Sequence, residues 1–248
     1  MKEVHMLYET KGAGEPIIFL PGLFAGGWIW DTVGQNMVNK GFKIFTFTAP
    51  IPVSFDGSQQ KAFSELDAIT ENCSTPVYIV GNSLGALIGL HYASQRKDRI
   101  KGIIMSGAPG QIEMETGVTL EELKTGKDEY TTLLGSRIFY DQSKIPQYAV
   151  EEVKYLFGTE KTFRNIVRWL FFSRKYDVPA VLQNIAIPID FIWGEYDRIT
   201  PIEPWIDIAK QFPQTSMTII KNSGHSPMVE DPEAFTDALL TRLLAGKS

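Results

Sequence analysis

The sequence predicts an α/β fold: a mostly parallel central sheet with helices on both faces, and a helical lid inserted after the strand that ends near Ser106. Three observations carry this expectation. Short apolar runs alternate with segments of helical period up to Ser106, and the alternation resumes near Ile187. Between Pro109 and about Ala186 no convincing strand is found. In Gly81-Asn82-Ser83-Leu84-Gly85, an apolar run turns directly into a helical one with no room for a relaxed loop.

The elements follow in order. Val4–Glu9 reads as a first strand, closed by the turn Lys11-Gly12-Ala13-Gly14. Ile17–Leu20 is a short, fully apolar strand that runs into the glycine-rich turn Pro21–Gly27. Trp28–Lys40 has Trp30, Val33, Met37 and Val38 at helical spacing, and Gly41 stands where a helix end favours glycine. Lys43–Thr48 is a strand, and Gln60–Asn72 a helix with Phe63, Leu66 and Ile69 on one face. Pro76–Val80 is the central strand, followed by the helix after Ser83 and the strand Ile100–Ser106. The lid offers helices at Leu120–Thr125, Glu129–Tyr140, Tyr148–Phe157 and Lys161–Lys175. It is rich in aromatics such as Phe139, Trp169, Phe172 and Tyr176. Most of these are expected to pack the lid onto the core, and a few to line a cavity beneath it. Ile189–Trp193 and Met217–Ile220 complete the strands. Thr200-Pro201-Ile202-Glu203 reads as a capping box opening a helix, and Asp231-Pro232-Glu233 opens the C-terminal helix in the same way. The division expected is residues 1–108 and 187–248 for the two parts of the core and 109–186 for the lid.

The composition narrows the function classes. With 44% hydrophobic and 21% charged residues the chain is that of an ordinary globule. A formal charge of −5 and the lack of a Lys/Arg cluster argue against nucleic acid as a partner. The single cysteine, Cys73, rules out an intrachain disulfide and a multi-cysteine metal site, and it reads as structural. No signal-like apolar segment begins the sequence, and no run approaches the ~20 residues that span a bilayer. The expectation is a cytoplasmic protein without a membrane span.

A strand turning directly into a helix leaves its turn residue pointing out of the tip, here Ser83, at the positive end of a helix. Alone, such a motif is also met as an ordinary Gly-rich turn. A serine hydroxyl needs a base, and the chain has three histidines. His5 lies in the first strand and His91 two turns into the helix after Ser83, so both read as packing or surface residues. His225 follows the last strand in Asn222-Ser223-Gly224-His225-Ser226-Pro227, a loop at the carboxyl edge, and is the base the topology can deliver. Its acceptor is expected in Trp193-Gly194-Glu195-Tyr196-Asp197, with Asp197 preferred and Glu195 the fallback. The loop after Ser106, Gly107-Ala108-Pro109-Gly110, holds no carboxylate. Anion donors are expected from the N–H of Leu84 and, in the Gly22-Leu23-Phe24 turn, the N–H of Leu23.

These motifs together resemble those of the small, lidded α/β-hydrolase-fold serine hydrolases, a group that includes esterases, carbon–carbon bond hydrolases and cofactor-free haloperoxidases. The markers are Phe19-Leu20-Pro21-Gly22 with Trp30, the Ser83 turn, Trp193–Asp197 and Gly224-His225-Ser226-Pro227, in the order Ser83, Asp197, His225 that this arrangement requires. Two departures stand out. Pro21-Gly22 replaces the His-Gly frequent in the group, and Ala49-Pro50-Ile51-Pro52-Val53-Ser54 replaces an Asp-x-x-Gly-x-Gly loop that borders the site in relatives. The resemblance therefore does not carry a substrate with it.

What it implies is a serine hydrolase that cleaves an ester of a small, largely apolar molecule through an acyl-enzyme, with no cofactor and no metal, as a monomer or homodimer. A carbon–carbon bond hydrolase, or a lyase or cyclase using the same three residues, is the alternative within this chemistry. A small-molecule receptor with little turnover is the alternative outside it, weakened by the presence of all three residues. A peptidase would need an acidic cluster in the lid, and none is seen.

Overall fold

A computed structural model describes residues 7–111 and 116–244. Seven strands form one sheet in the order β1-β3-β2-β4-β5-β6-β7. They are β1 Tyr8–Gly12, β2 Glu15–Leu20, β3 Phe42–Phe47, β4 Val77–Asn82, β5 Ile100–Ser106, β6 Ile189–Gly194 and β7 Thr215–Ile220. All neighbours are parallel except β1, which runs antiparallel to β3 at one edge.

The apolar runs become central strands because both faces are covered. All six residues of β4 are buried, and so are five of the six in β2. Successive residues serve opposite faces. Ile18, Leu20 and Ile79 join a cluster with Leu66, Leu87 and Leu90, from the helices Gln59–Thr70 and Leu84–Gln95. Ile17, Phe19, Tyr78 and Val80 join a second cluster with Met37 and Leu239, from the helices Asp31–Asn39 and Pro232–Leu244. The helix Leu84–Gln95 has nine buried residues, so it is held on nearly every side.

Differences from expectation have local causes. The first strand is shifted toward the C-terminus, to Tyr8–Gly12, because its pairing with β3 extends through Lys11 and Gly12. Residues 4–6, including His5, lie outside the described residues. Trp28 and Trp30 belong to a 3₁₀ turn, Gly27–Trp30, that precedes the α-helix. The helix after β6 begins at Glu203, and Thr200 does not cap it. The Thr200 side chain and N–H are instead committed to Asp197, so the apparent capping box is not formed. The departing segment Ala49–Ser54 contains a short helix, Ile51–Ser54, anchored by Asn165 Nδ2 donating to Pro52 O at 3.0 Å.

Between β5 and β6 the chain forms the helices Leu120–Lys124, Asp128–Ile138, Gln147–Phe157, Glu160–Lys175 and Val178–Leu182. The last was not expected; it is short, carries Pro179, and is capped by Asp177 accepting from Ala180 N–H at 3.0 Å. This insertion sits over the carboxyl ends of the central strands, and its residues share a cavity with theirs.

Candidate active site

The β4–helix turn holds Ser83 at φ 53° and ψ −125°, a backbone conformation that side chains rarely adopt. Neighbours on every side hold it there. Ser83 N–H donates to Ser106 O on β5 at 2.8 Å, and Ala86 N–H donates to Ser83 O at 3.0 Å. Gly85 permits the turn: a Cβ there would lie 2.2 Å from Pro21 O. The turn after β2 therefore packs directly on the Ser83 turn, and a Cβ on Gly22 would lie 3.4 Å from the Ser83 Cβ.

His225 is fixed by its backbone before its ring is considered. His225 N–H donates to Ile138 O at 2.7 Å, and His225 O accepts from Asn82 Nδ2 at 3.1 Å. Asn82 immediately precedes Ser83, so one buried amide ties the histidine loop to the serine turn. The imidazole lies against Gly107, where a Cβ would come within 2.8 Å of the ring. Gly107, just after β5, thus leaves the ring the space that a side chain would take.

The ring Nδ1 is 2.9 Å from Asp197 Oδ2 and 3.1 Å from Oδ1. Both side chains are buried, Asp197 at 1% exposure. The carboxylate also accepts from Ile199 N–H, Thr200 N–H and Thr200 Oγ1–H, each at 2.9 Å. Such a buried charge is tolerable because every direction is satisfied. A carboxylate with no proton of its own only accepts, so Nδ1 is the ring nitrogen that donates here. Glu195, the fallback acid, is exposed, and its carboxylate accepts from Asn222 N–H at 3.4 Å rather than from His225.

Ser83, His225, Leu23 and Leu84 line one cavity of about 190 Å³. Asp197 stands behind His225 and is not part of its wall. The opposite wall comes from the insertion, through residues such as Leu134, Ile138, Val150, Val153 and Trp169. Among the described residues, no Asp, Glu, Lys or Arg lines the cavity. Of the expected lid aromatics, Phe139 and Trp169 reach it; Phe172 and Tyr176 instead pack around His91 at ring distances of 5.6 and 5.4 Å. Burial pushes the His91 imidazole below its ordinary value, and Nε2 sits 3.0 Å from Gln59 Oε1. His91 is therefore a packed histidine away from the cavity. Cys73 is a partly buried free thiol, raised by burial.

Three contributors were not visible in the sequence. Asn82 fills a variable position of the Ser83 turn and acts through hydrogen bonds to other segments, and Thr200 reads as a helix cap while its N–H and hydroxyl bond Asp197. Glu230, 2% exposed, lies five residues after His225 in the short helix Pro227–Glu230. Its carboxylate accepts from Gly224 N–H at 2.6 Å, Tyr140 N–H at 2.8 Å and Asp141 N–H at 2.9 Å. Lys144 Nζ donates to the Glu230 carbonyl. Glu230 thereby joins the histidine loop to the insertion, and a pairing with residues some 90 positions away leaves no local pattern to find. Among the described residues, no cluster of His, Cys, Asp and Glu could hold a metal ion, and no helix is long and apolar enough to cross a membrane.

A parallel sheet with a strained serine at one strand tip, and a carboxylate-bound histidine on a neighbouring loop, defines the α/β hydrolase class. The sequence profile of the alpha/beta hydrolase family matches residues 17–238, and the chain belongs to that family. Among its relatives is the pimeloyl-[acyl-carrier protein] methyl ester esterase of Vibrio vulnificus, 23% identical over 257 residues, covering 97% of this chain and 98% of that protein. Another is 2-hydroxy-6-oxononadienedioate/2-hydroxy-6-oxononatrienedioate hydrolase 1 of Dechloromonas aromatica, 22% identical, covering 96% and 90%. Among solved structures, an esterase from Exiguobacterium antarcticum superposes with a TM-score of 0.79 at 17% identity, covering 96% of this chain and 95% of that one.

Proposed function

We propose that this protein is a serine hydrolase that cleaves esters of small, uncharged, largely apolar substrates through an acyl-enzyme, with the helices of residues 109–186 as its cap. The observation that carries the reading is the hydrogen bond from His225 Nδ1–H to the buried Asp197 carboxylate, on a histidine that shares a cavity with Ser83. In this reading Ser83 Oγ attacks the ester carbonyl while its proton passes to His225 Nε2. The N–H groups of Leu23 and Leu84 receive the developing oxyanion. The tetrahedral adduct collapses, the C–O bond to the alcohol breaks, and His225 returns the proton to the departing oxygen. Water then repeats the sequence, giving up one proton to His225, and the acid leaves as Ser83 regains its hydrogen. Asp197 stays ionised throughout and stabilises the imidazolium.

The wall chemistry favours an ester with an apolar acyl or alkyl part. A carbon–carbon hydrolase is the second reading, favoured by the similarity to the Dechloromonas enzyme. A dienedioate of the kind that enzyme is named for carries two carboxylates, and each would lack a cation among the described cavity residues. The discriminating experiment is a panel of chromogenic esters of varied acyl length, run beside a diketone that only a carbon–carbon hydrolase cleaves. Ester turnover with the diketone untouched is expected. Diketone cleavage with the esters inert would reverse the choice.

A further inference from the structure

The turn that carries Leu23 is fastened at both ends by the core, and at Gly26, beside its second end, by the insertion. Ile51 N–H donates to Gly22 O at 3.3 Å, and Gly27 N–H donates to Thr48 O at 2.8 Å. Between them, Gly26 N–H donates to Glu152 Oε2 at 2.7 Å. The same oxygen accepts from Trp28 Nε1–H, also at 2.7 Å. Glu152 lies on the helix Gln147–Phe157, whose Val150 and Val153 line the cavity. That helix touches the turn twice more. Tyr148 meets the Trp28 ring edge-on at 5.0 Å, and Phe157 meets Phe24 at 5.9 Å. Gly26 is shaped for this approach: a Cβ there would lie 2.7 Å from Glu152 Oε1 and 2.5 Å from Thr48 O.

We propose that Glu152 is a positioning residue of the oxyanion site: by holding Gly26 N–H and Trp28 Nε1–H on one carboxylate oxygen, it sets the Leu23 turn from the cap. The proposal rests on the acyl-transfer reading above and extends it. Catalysis by fixed donors depends on their being aimed before charge develops. The Gly22–Leu23 peptide is held through its carbonyl by a single 3.3 Å bond, and slack at Gly26 in the other arm of the turn would leave Leu23 N–H misaimed part of the time. Glu152 removes that freedom only while the helix Gln147–Phe157 is seated, so the wall that reads the substrate chain and the loop that stabilises the anion become one unit. Two donors onto a single oxygen require an acceptor there, and a glutamine carbonyl can serve as well as a carboxylate.

The test compares wild type with Glu152→Leu, which fills the same space without an acceptor, Glu152→Ala, Glu152→Gln, and Glu151→Ala as an exposed neighbouring control. The expected result is a fall in kcat/KM of about 10- to 30-fold for Glu152→Leu and Glu152→Ala, carried mainly by kcat. It should be equal for a two-carbon and a long-chain ester, with the acid limb of the pH profile unmoved. Glu152→Gln should stay within about threefold of wild type, and Glu151→Ala should match it. The rate at which a fluorophosphonate labels Ser83 should fall in step, a readout that needs no substrate. Wild type failing on every ester while labelling still slows in Glu152→Leu would count against the ester reading alone. The positioning role would be overturned by two-carbon ester turnover and labelling within about twofold of wild type in Glu152→Leu, by a loss confined to long esters, or by Glu152→Gln losing as much as Glu152→Leu.

Discussion

The two walls of the cavity are built by different means. On the core side, Ser83, Asn82 and His225 are fixed by backbone geometry and short polar bonds: a positive φ, a 2.8 Å bond across to β5, and an amide that bridges two loops. On the insertion side the wall includes Leu134, Ile138, Val153 and Trp169, held by side-chain packing. The first kind of wall is directional and suits proton transfer. The second is tolerant and suits selection of a substrate by size and polarity. Two buried or half-buried carboxylates, Glu152 and Glu230, are where the two kinds meet.

If that contrast is right, substitutions on the core side should abolish chemistry, and those on the insertion side should retune selectivity. The largest effect is expected from Ser83→Ala: ester turnover falling by about 10⁴-fold or more in a protein with an unchanged melting temperature. Retained turnover in that variant would remove the nucleophile assignment. Next is Asp197→Asn, expected to lower kcat by about 10³- to 10⁴-fold because the amide favours the wrong imidazole tautomer. Glu195→Gln should leave kcat unchanged, and the reverse ranking would move the acid to residue 195.

On the insertion side, Val153→Trp fills the cavity from its apolar wall. The expected outcome is a drop of about 10-fold or more in kcat/KM for long-chain esters with a two-carbon ester little changed. Equal losses on both would place Val153 in the chemistry instead. The smallest effect concerns the joint between the walls. Glu230→Gln cannot accept all three backbone N–H groups and should cost about 1–3 kcal/mol in urea unfolding. Its pH dependence has a definite sign. Burial holds the Glu230 carboxyl above its ordinary value, against the pull of the Asp141, Gly224 and Tyr140 N–H groups and of Lys144. A carboxyl raised in the folded state contributes stability below its unfolded value and loses it as pH rises through the folded value. The deficit of Glu230→Gln should therefore be largest near pH 4 and narrow toward neutrality, and unfolding at the two pH values checks the direction.

The same contrast explains what the sequence could reveal. Strands β2 to β7 and the Ser83 turn are written in local patterns, because a buried strand needs an apolar run and a tight strand-to-helix turn needs small residues at fixed offsets. His225 and Asp197 are the residues the topology selects, because only carboxyl-edge loops can meet Ser83 and topology follows from the alternation. The supporting residues carry no motif that points to their role. Thr200 resembled a helix cap because Thr-x-x-Glu usually is one, yet its hydroxyl bonds to Asp197. Asn82 and Glu230 bind backbone groups of other segments, and nothing near them in the chain announces it. In the insertion, the helices other than Val178–Leu182 were legible from their periodicity, but which aromatics face the cavity depends on how those helices rotate as they pack. Trp169 and Tyr176 differ in this respect and not in composition.

The central claim is that residues 83, 197 and 225 act as one unit on a substrate carbonyl. Treating the folded protein with a fluorophosphonate and mapping the adduct by mass spectrometry tests it most directly. A single adduct on the Ser83 hydroxyl, formed rapidly in the wild type and lost in His225→Ala, is the predicted result. An adduct on another serine, or labelling of Ser83 that persists at full rate without the imidazole, would contradict it.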